Sequence, residues 1–383
     1  MLITTCWIVA GWICGWLLLL SLRRLKPSER VPIRLEERIY ANGGLNGGHL
    51  PAMSVIIPAR DEEANIGTLL ASLAKQSVRP LEVIVVDDGS TDATAAIAAA
   101  QGVKVVSSGL LPPGWTGKSW ACWQGAQIAA GEVLIFLDAD IVMEADGLER
   151  LALAFQERGG LLSMQPYHWM RRPYERLSAF FNLIVLFAVG SSQQPTGAFG
   201  PCVMCSREMY METGGHRAVR GELLENHQLG SVFQQDKLPL TNLLGRGIAA
   251  FRMYPGGLGA LISGWSKSFA AGAKATPPLR LLAISIWVAG AVSAVTQWFT
   301  LAETPPGAVW LAAGFYVAYA VQLIMLLRYA GNFGMAGLYF PAALLVFLYV
   351  FVVSAYQTFA RGTVSWKGRS LDTGKDVGGG KRR

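Results

Sequence analysis

The sequence predicts an α/β domain built on a mostly parallel β-sheet, with transmembrane helices at both ends of the chain. Between residues 51 and 160, short β-branched and aliphatic runs alternate with stretches of helical spacing, which is typical of parallel strands joined by helices. Long uncharged segments flank this part, and 52% of the 383 residues are hydrophobic whereas 15% are charged. This composition indicates a membrane protein.

The first apolar segment, residues 2–22, carries no charge and is long enough to cross a bilayer. It lacks the basic start and the small-residue cleavage site of a signal peptide. Four basic residues follow it closely: Arg23, Arg24, Lys26 and Arg30. Because basic residues collect on the cytoplasmic side of a membrane segment, we expect an external N-terminus and a cytoplasmic domain after it.

Three further spans are predicted near the other end of the chain, at residues 281–301, 308–327 and 335–360. Three crossings from a cytoplasmic domain would leave the basic tail, residues 361–383, outside, against the usual charge asymmetry. The last segment is therefore a hairpin broken at Pro341 or a surface helix, or another segment crosses, or the tail is an exception. Residues 177–190 are expected to lie at the membrane interface.

The predicted organisation has five parts. These are an N-terminal transmembrane helix (1–24), a glycine-rich linker (25–50), a catalytic α/β domain (51–276), C-terminal transmembrane helices (277–360) and a basic tail (361–383). The net charge of +7 needs no nucleic acid, because much of it flanks the membrane segments, where anionic headgroups attract it. The five cysteines predict reduced thiols, and Cys202 and Cys205 are interpreted as small buried residues, not as a metal site.

Each element of the α/β domain follows from its residue pattern. Strands are predicted at residues 54–57, where Pro58 closes the run, and at 81–86, 103–106 and 133–137. Helices are predicted at residues 65–75, from Thr91 or Asp92 to Ala100, at 117–130, and from Asp146 to the Gly159-Gly160 pair.

Charged residues follow three of these strands. They are Arg60-Asp61-Glu62, Asp87-Asp88, and the pair Asp138 and Asp140. Ligands of parallel sheets bind beyond the carboxyl ends of the strands, so these groups should meet at one edge. Residues i and i+2 of an extended chain point the same way, so Asp138 and Asp140 can share a hard divalent cation whose coordination a diphosphate completes. Lys118 is suitably placed to neutralise phosphate charge.

Two common nucleotide motifs are absent. No Gly-x-Gly-x-x-Gly follows the first strand and no Gly-x-x-x-x-Gly-Lys-Ser/Thr occurs, which argues against a dinucleotide oxidoreductase or a P-loop ATPase. The runs SVIIPARDEEANI (54–66) and VIVVDDGSTDAT (83–94), followed by the Asp-Ala-Asp strand, instead resemble the family 2 glycosyltransferases over about residues 51–275. The resemblance implies a GT-A, Rossmann-like nucleotide-sugar fold and inversion at the anomeric carbon.

Three further runs resemble bacterial membrane members of this family that act on carotenoid or hopanoid-type lipids: LPPGWTGKSWA (111–121), TGAFGPC (196–202) and GWSKSF (264–269). The resemblance implies that Pro58, Ala59, Arg60 and Glu62 form part of the nucleoside pocket. With Lys118, Asp88 and Asp138 they are the predicted donor-binding residues. Asp88 would hold the uracil or ribose, and Asp138 and Asp140 would bind Mg²⁺ or Mn²⁺ together with the diphosphate. Residues 196–200 would line the acceptor side, and residues 214–217 would shape the sugar pocket.

The catalytic base is the difficult assignment. Asn226 occupies the position where the family carries an aspartate, and an amide cannot accept a proton at neutral pH. Glu225 is the leading candidate, and Glu222 lies one helical turn earlier. An acceptor carboxylate, already ionised near pH 7, would need no strong base.

The Gln-x-x-Arg-Trp signature of processive relatives is absent, which argues against a polymerising synthase. Near its place, Trp265 and Lys267 are predicted either to cover the acceptor mouth and meet the diphosphate or to anchor the chain at the interface.

The sequence thus predicts a multi-pass enzyme of the cytoplasmic membrane that moves a sugar, most simply glucose from UDP-glucose, to a polyisoprenoid lipid such as a carotenoid acid or a hopanoid. Transfer to polyprenyl phosphate or a ceramide-like lipid is an alternative on the same scaffold. A non-catalytic GT-A membrane scaffold is another, suggested by Asn226.

Overall fold

A computed structural model describes residues 2–23, 50–190, 195–267, 269–303, 305, 307–357, 363–366 and 369–372. All but residue 50 of the predicted linker lies outside this part of the chain. The same is true of the basic tail apart from a short hairpin.

The strands occur in chain order as follows: β1 Met53–Ala59, β2 Glu82–Asp87, β3 Lys104–Ser107, β4 Val133–Leu137, β5 Ile141–Met143, β6 Leu161–Gln165, β7 Tyr167–His168, β8 Cys202–Ser206, β9 Leu240–Leu244, β10 Ala249–Phe251, β11 Thr363–Trp366 and β12 Arg369–Asp372. The helices are α1 Leu2–Arg23, α2 Ile66–Leu73, α3 Thr94–Ala100, α4 Gly117–Ile128, α5 Gly147–Arg158, α6 Ala179–Val189, α7 Arg207–Glu212, α8 Gly215–Ala218, α9 Glu225–Gln235, α10 Leu258–Ser266, α11 Phe269–Ala275, α12 Pro278–Thr296, α13 Ala308–Ala330 and α14 Phe340–Ala355.

The central sheet has the strand order β3-β2-β1-β4-β8-β6-β9. It is parallel except for β8, which pairs antiparallel with both β4 and β6. The mostly parallel α/β sheet is therefore confirmed. β4 has the predicted bounds, and all five of its residues are buried. β1 continues past the predicted end, because Pro58 and Ala59 still pair in register with β2.

The strand order places three carboxyl ends side by side. β1 lies between β2 and β4 and is parallel to both, so the residues that follow Ala59, Asp87 and Leu137 meet at one edge. Apolar side chains from both faces of the sheet, among them Val55, Ile56 and Ile135, are fully buried under the helices. The sheet is thus a rigid support for polar groups that stand at its edge.

Four helices of the described chain are long and apolar enough to cross a membrane. They span Leu2–Leu20, Pro278–Thr300, Ala308–Ala330 and Ala336–Ala355. Of the alternatives for the last segment, the hairpin broken at Pro341 is wrong, because this proline lies in the first turn of α14, where its missing N–H has no helical acceptor to lose.

Close packing joins the N-terminal helix α1 to α12 and α13. A side chain added at Gly11 would come within 2.7 Å of Ile286 O, and one at Gly15 within 2.3 Å of Gln322 Oε1. Small residues at such crossings let helix backbones approach in a bilayer. The two ends of the chain therefore form one helical group.

Helix α6 differs from the prediction of an interfacial segment. An interfacial helix leaves one face toward the membrane surface, whereas nine of the eleven residues of α6 are buried. Phe180 packs on Trp287 of α12 and Phe347 of α14. The helix lies among the membrane-length helices.

Candidate active site

One cavity of about 1220 Å³ lies beyond the carboxyl ends of the strands and continues between the apolar helices. Every predicted catalytic, donor-binding and metal-binding residue lines it: Pro58, Ala59, Arg60, Glu62, Asp88, Lys118, Asp138, Asp140, Glu222 and Glu225. These residues come from five separate segments of the chain. The parallel sheet brings three of the segments together.

Hydrogen bonds tie the loops after β1 and β2 to each other. Arg60 Nη1 donates to Asp88 O at 2.9 Å and lies 3.9 Å from its carboxylate. Asp61, which has φ of +50°, accepts a hydrogen bond from Thr91 N at 2.8 Å and donates its own N–H to Ser90 Oγ at 3.0 Å. The two loops thus hold Arg60 and Asp88 together at the cavity wall.

Lys118 bridges two carboxylates that are distant in sequence. Its Nζ lies 2.7 Å from Asp138 Oδ1 and 2.9 Å from Glu225 Oε1. Thr116 caps this helix start, because its hydroxyl oxygen accepts a hydrogen bond from Ser119 N. Burial works in the opposite direction, yet the charges of Asp138 and Glu225 raise the pKa of Lys118 well above its usual range. Lys118 is therefore a fixed positive charge at the centre of the cavity.

The Asp138–Asp140 pair carries more negative charge than Lys118 compensates. Burial, followed by the charges of Asp138 and Glu62, raises the pKa of Asp140 to about 7. Burial also outweighs Lys118 and raises the pKa of Asp138. Two partly desolvated carboxylates are suitable ligands for a hard divalent cation, which would relieve this repulsion.

The described residues contain no cluster of three or more histidine, cysteine, aspartate or glutamate side chains that could enclose a metal. An ion held by Asp138 and Asp140 would take its remaining oxygen ligands from a bound substrate and water. The pair fits a metal that is shared with a diphosphate. Cys202 and Cys205 are buried in β8, as expected.

The side chain of Asn226 is buried and takes part in a chain of hydrogen bonds. Its Nδ2 donates to Gly200 O, and its Oδ1 lies 3.1 Å from His216 Nε2. The other nitrogen of His216 lies 2.9 Å from the Tyr210 hydroxyl. Burial lowers the pKa of His216 to about 4, so the ring is neutral at pH 7. This buried chain fixes the start of α9 and hence the position of Glu225.

Of the two glycine-containing segments predicted near the acceptor and the sugar, one lines the cavity in part and the other does not line it. Of residues 196–200, Ala198, Phe199 and Gly200 line it. Residues 214–217 do not line it: His216 lies behind Asn226, and the Arg217 guanidinium lies over the Trp123 ring at 5.4 Å. His216 therefore acts on the cavity through its hydrogen bond with Asn226, which lines it.

Several lining residues were missed from the sequence. Arg252 lines the cavity and binds the fully buried Glu175 carboxylate through Nε at 3.0 Å. Tyr254 also lines it and has φ of +54°, which is uncommon for a bulky residue. Neither follows a recognisable motif, so only the contacts between distant segments reveal them.

Beyond this polar part, the cavity is walled by apolar side chains. Trp265 stacks on Phe181 with ring centroids 4.9 Å apart, and Phe269 meets Phe181 edge-on at 5.2 Å. Trp7 and residues of α6, α12 and α14 line the rest of this apolar arm. Trp265 and Lys267 both line the cavity.

Known proteins resemble this chain over most of its length. The family described as Glycosyl transferase family 2 matches residues 54–214. The 4,4'-diaponeurosporenoate glycosyltransferase of Staphylococcus aureus (strain USA300) is 37% identical over 343 residues, which cover 87% of this chain and 91% of that protein.

The solved structure of the mannosyltransferase PcManGT from Pyrobaculum calidifontis, in complex with GDP-Man and Mn²⁺, has a TM-score of 0.54 with this chain. It is 18% identical, and the match covers 91% of this chain and 98% of that one, so the likeness concerns the fold. The chain is a glycosyltransferase with a GT-A fold, and it belongs to glycosyltransferase family 2.

Proposed function

We propose that this enzyme transfers a sugar, with inversion, from a nucleotide sugar to a polyisoprenoid lipid that stays in the bilayer. One observation carries the proposal: a single cavity joins the charged strand ends to a space walled by membrane-length helices. A water-soluble donor suits the first part and a hydrocarbon chain the second. Bilayer lipids reach such a site only if it is held at the membrane.

The donor is proposed to be UDP-glucose, bound through its nucleoside by Pro58, Ala59, Arg60, Glu62 and Asp88. Asp138 and Asp140 would hold Mg²⁺ or Mn²⁺, which stabilises the charge of the leaving diphosphate when bound. Lys118, whose Nζ lies 2.7 Å from Asp138 Oδ1, would also stabilise the negative charge of the leaving diphosphate. The mannosyltransferase with the same fold is in complex with GDP-Man and Mn²⁺, which supports a metal and a nucleotide-sugar donor for this enzyme.

The acceptor is proposed to be a carotenoid acid, as the name of the staphylococcal relative suggests. Its carboxylate oxygen would form the new bond to the anomeric carbon while the bond to the diphosphate breaks on the opposite face. A carboxylate brings no proton to remove, so the loss of an aspartate at Asn226 is tolerable. With a hydroxyl acceptor, Glu225 would take the proton.

The site is proposed to face the cytoplasm from a multi-pass position in the cell membrane. The basic group that begins with Arg23 and Arg24 directly follows the first span, which supports this orientation.

The test uses the full-length protein in lipid nanodiscs with Mg²⁺ or Mn²⁺. Radiolabelled UDP-glucose, UDP-galactose and GDP-mannose are each offered with a carotenoid monocarboxylic acid, its methyl ester, a hopanoid alcohol, a polyprenyl phosphate or a ceramide. We expect label to pass from UDP-glucose to the free acid and not to the ester, and Asp140→Ala to abolish transfer. Preferred transfer to another acceptor would show that the carotenoid acid is not the acceptor. The absence of transfer to any lipid would refute the proposal as a whole.

A further inference from the structure

We propose that one face of helix α12 binds the hydrocarbon chain of the acceptor along its length, so that the enzyme selects its lipid by chain length. The proposal rests on the proposed function, because it concerns the apolar arm of the same cavity. It assigns to α12 a role in specificity that is separate from the chemistry at the strand ends.

The cavity-lining residues of α12 form two adjacent rows at helical spacing. Leu281, Ser285, Ala289 and Ser293 are each four residues apart, and a second row runs beside them from Ile284 to Val292. Residues four apart lie above one another on one helix face. With a rise of about 1.5 Å per residue, the face extends along the helix for about 18 Å.

The shape and polarity of this face suit an extended hydrocarbon chain. Three of the four residues in the first row are small, so the row forms a groove. Phe347, Leu348 and Phe351 of α14 contribute to the facing wall. Residues 281–301 contain no Asp, Glu, Lys or Arg, so no charged side chain from Leu281 onward would have to be desolvated against an apolar ligand.

The groove has a defined direction. At its start, Arg280 Nη1 donates to Ala188 O at 3.0 Å, and Thr196 Oγ1 donates to the same carbonyl at 2.9 Å. Thr196 begins the segment whose next residues line the polar part of the cavity. Farther along, a Cβ at Gly290 would lie 2.8 Å from Trp7 O of α1, and Trp7 also lines the cavity. The Leu281 end is therefore proximal to the site and the Ser293 end distal.

A bulky residue in the groove should therefore set a length limit that depends on its position. Ser285→Phe and Ser293→Phe place the same side chain about 12 Å apart along the helix. Both serines border open space, so added bulk enters the cavity and spares the core. Thr296→Phe, on the same helix but outside the cavity lining, is the matched control, because Thr296 is exposed.

The three variants and the wild type are assayed in nanodiscs with geranic, farnesoic and geranylgeranoic acids and a carotenoid monocarboxylic acid. We expect Ser293→Phe to lower kcat/KM at least about tenfold for the longest acceptor and to leave kcat/KM for the shorter acceptors near the wild-type value. Ser285→Phe should move the limit to shorter acceptors, while Thr296→Phe keeps the wild-type profile. UDP affinity and elution as a single species verify folding, and Ala289→Leu replaces a phenylalanine variant that does not fold.

Equal loss for all chain lengths in folded variants, or an unchanged length profile, would overturn the assignment of α12. That result is distinct from failure of the proposed function, in which the wild type itself transfers sugar to no lipid acceptor. A limit that moves with the substituted position supports the inference.

Discussion

Lys118 Nζ lies 2.9 Å from Glu225 Oε1, and this ion pair joins the first turn of α4 to the first turn of α9. The same ammonium group contacts Asp138 at 2.7 Å. The proposed proton acceptor and the proposed metal ligand therefore share one cation. Binding of a metal and a diphosphate at Asp138 would change the charge around Lys118 and, through it, around Glu225.

Replacing Glu225 by Gln tests its proposed role as base. For hydroxyl acceptors that the wild type glycosylates, we expect kcat to fall roughly 100-fold or more, since the proposed proton acceptor is lost. For carboxylate acceptors the fall should be below about tenfold, because no proton is removed. Steady-state kinetics with matched acid and alcohol acceptors measure both. Glu212→Gln, an exposed residue away from the cavity, is the control, and near-wild-type turnover of alcohols by Glu225→Gln would exclude the base role.

Metal dependence is tested at Asp140. Chelation with EDTA should abolish transfer and added Mn²⁺ or Mg²⁺ should restore it. Asp140→Asn should raise the metal concentration for half-maximal activity at least about tenfold, because an anionic ligand is lost. Asp146→Asn is the matched control, since Asp146 pairs with Arg150 outside the cavity. Activity that survives chelation would contradict the metal assignment.

Two glycines of α10 offer a matched test of the aromatic wall. A Cβ at Gly264 would lie 2.0 Å from Tyr254 Cε1, whereas one at Gly259 would meet nothing within 4 Å. Gly264→Ala should displace the Tyr254 ring, destabilise the protein by about 1–3 kcal/mol and raise KM for the acceptor. Gly259→Ala should be neutral or slightly stabilising. Thermal unfolding in detergent and acceptor kinetics distinguish the two, and equal behaviour would show that the Tyr254 contact is unimportant.

The buried His216 predicts sensitivity to acid. Its pKa is about 4 in the fold against 6.5 for an unperturbed histidine, so the unfolded chain binds the proton more readily. Its contribution is fully present above pH 6.5 and is lost as the pH falls toward 4, by up to about 3 kcal/mol. His216→Gln, which cannot titrate, should lose less stability than the wild type between pH 7.5 and about 5. Burial also lowers the pKa of His168 to about 4, so the variant should keep some sensitivity to acid. Identical dependence of stability on pH in the variant and the wild type would refute the role of His216.

Gln322 connects the membrane helices through two hydrogen bonds. Its Oε1 accepts from Trp287 Nε1 at 3.0 Å, and its Nε2 donates to Trp12 O at 2.7 Å. Gln322→Leu leaves the buried indole N–H without an acceptor, so we expect a loss of about 1–2 kcal/mol. Val321→Leu, at an exposed position on the neighbouring face, should change little. Unfolding in detergent micelles measures both, and equal stability of the two variants would contradict the prediction.

Local pattern was sufficient for the sheet and for the charged residues at its edge. The apolar run of β4 is buried on both faces, and its C-terminal carboxylates stand beyond the strand, because strand periodicity and burial are properties of adjacent residues. The four apolar helices follow from length and composition alone. These are features that a short window of sequence determines.

The tertiary structure alone decided which distant groups meet. The sequence predicts that Lys118 neutralises phosphate charge. Its bridge between Asp138 and Glu225, however, depends on three segments that fold onto one sheet edge. The burial of α6 depends on neighbours in the helical group, and its own hydrophobicity also fits an interfacial helix. The sequence by itself determined a family 2 glycosyltransferase domain with membrane helices at both ends. The joining of its polar site to an apolar groove along α12 came from packing, because contacts between residues far apart leave no periodic pattern in the chain.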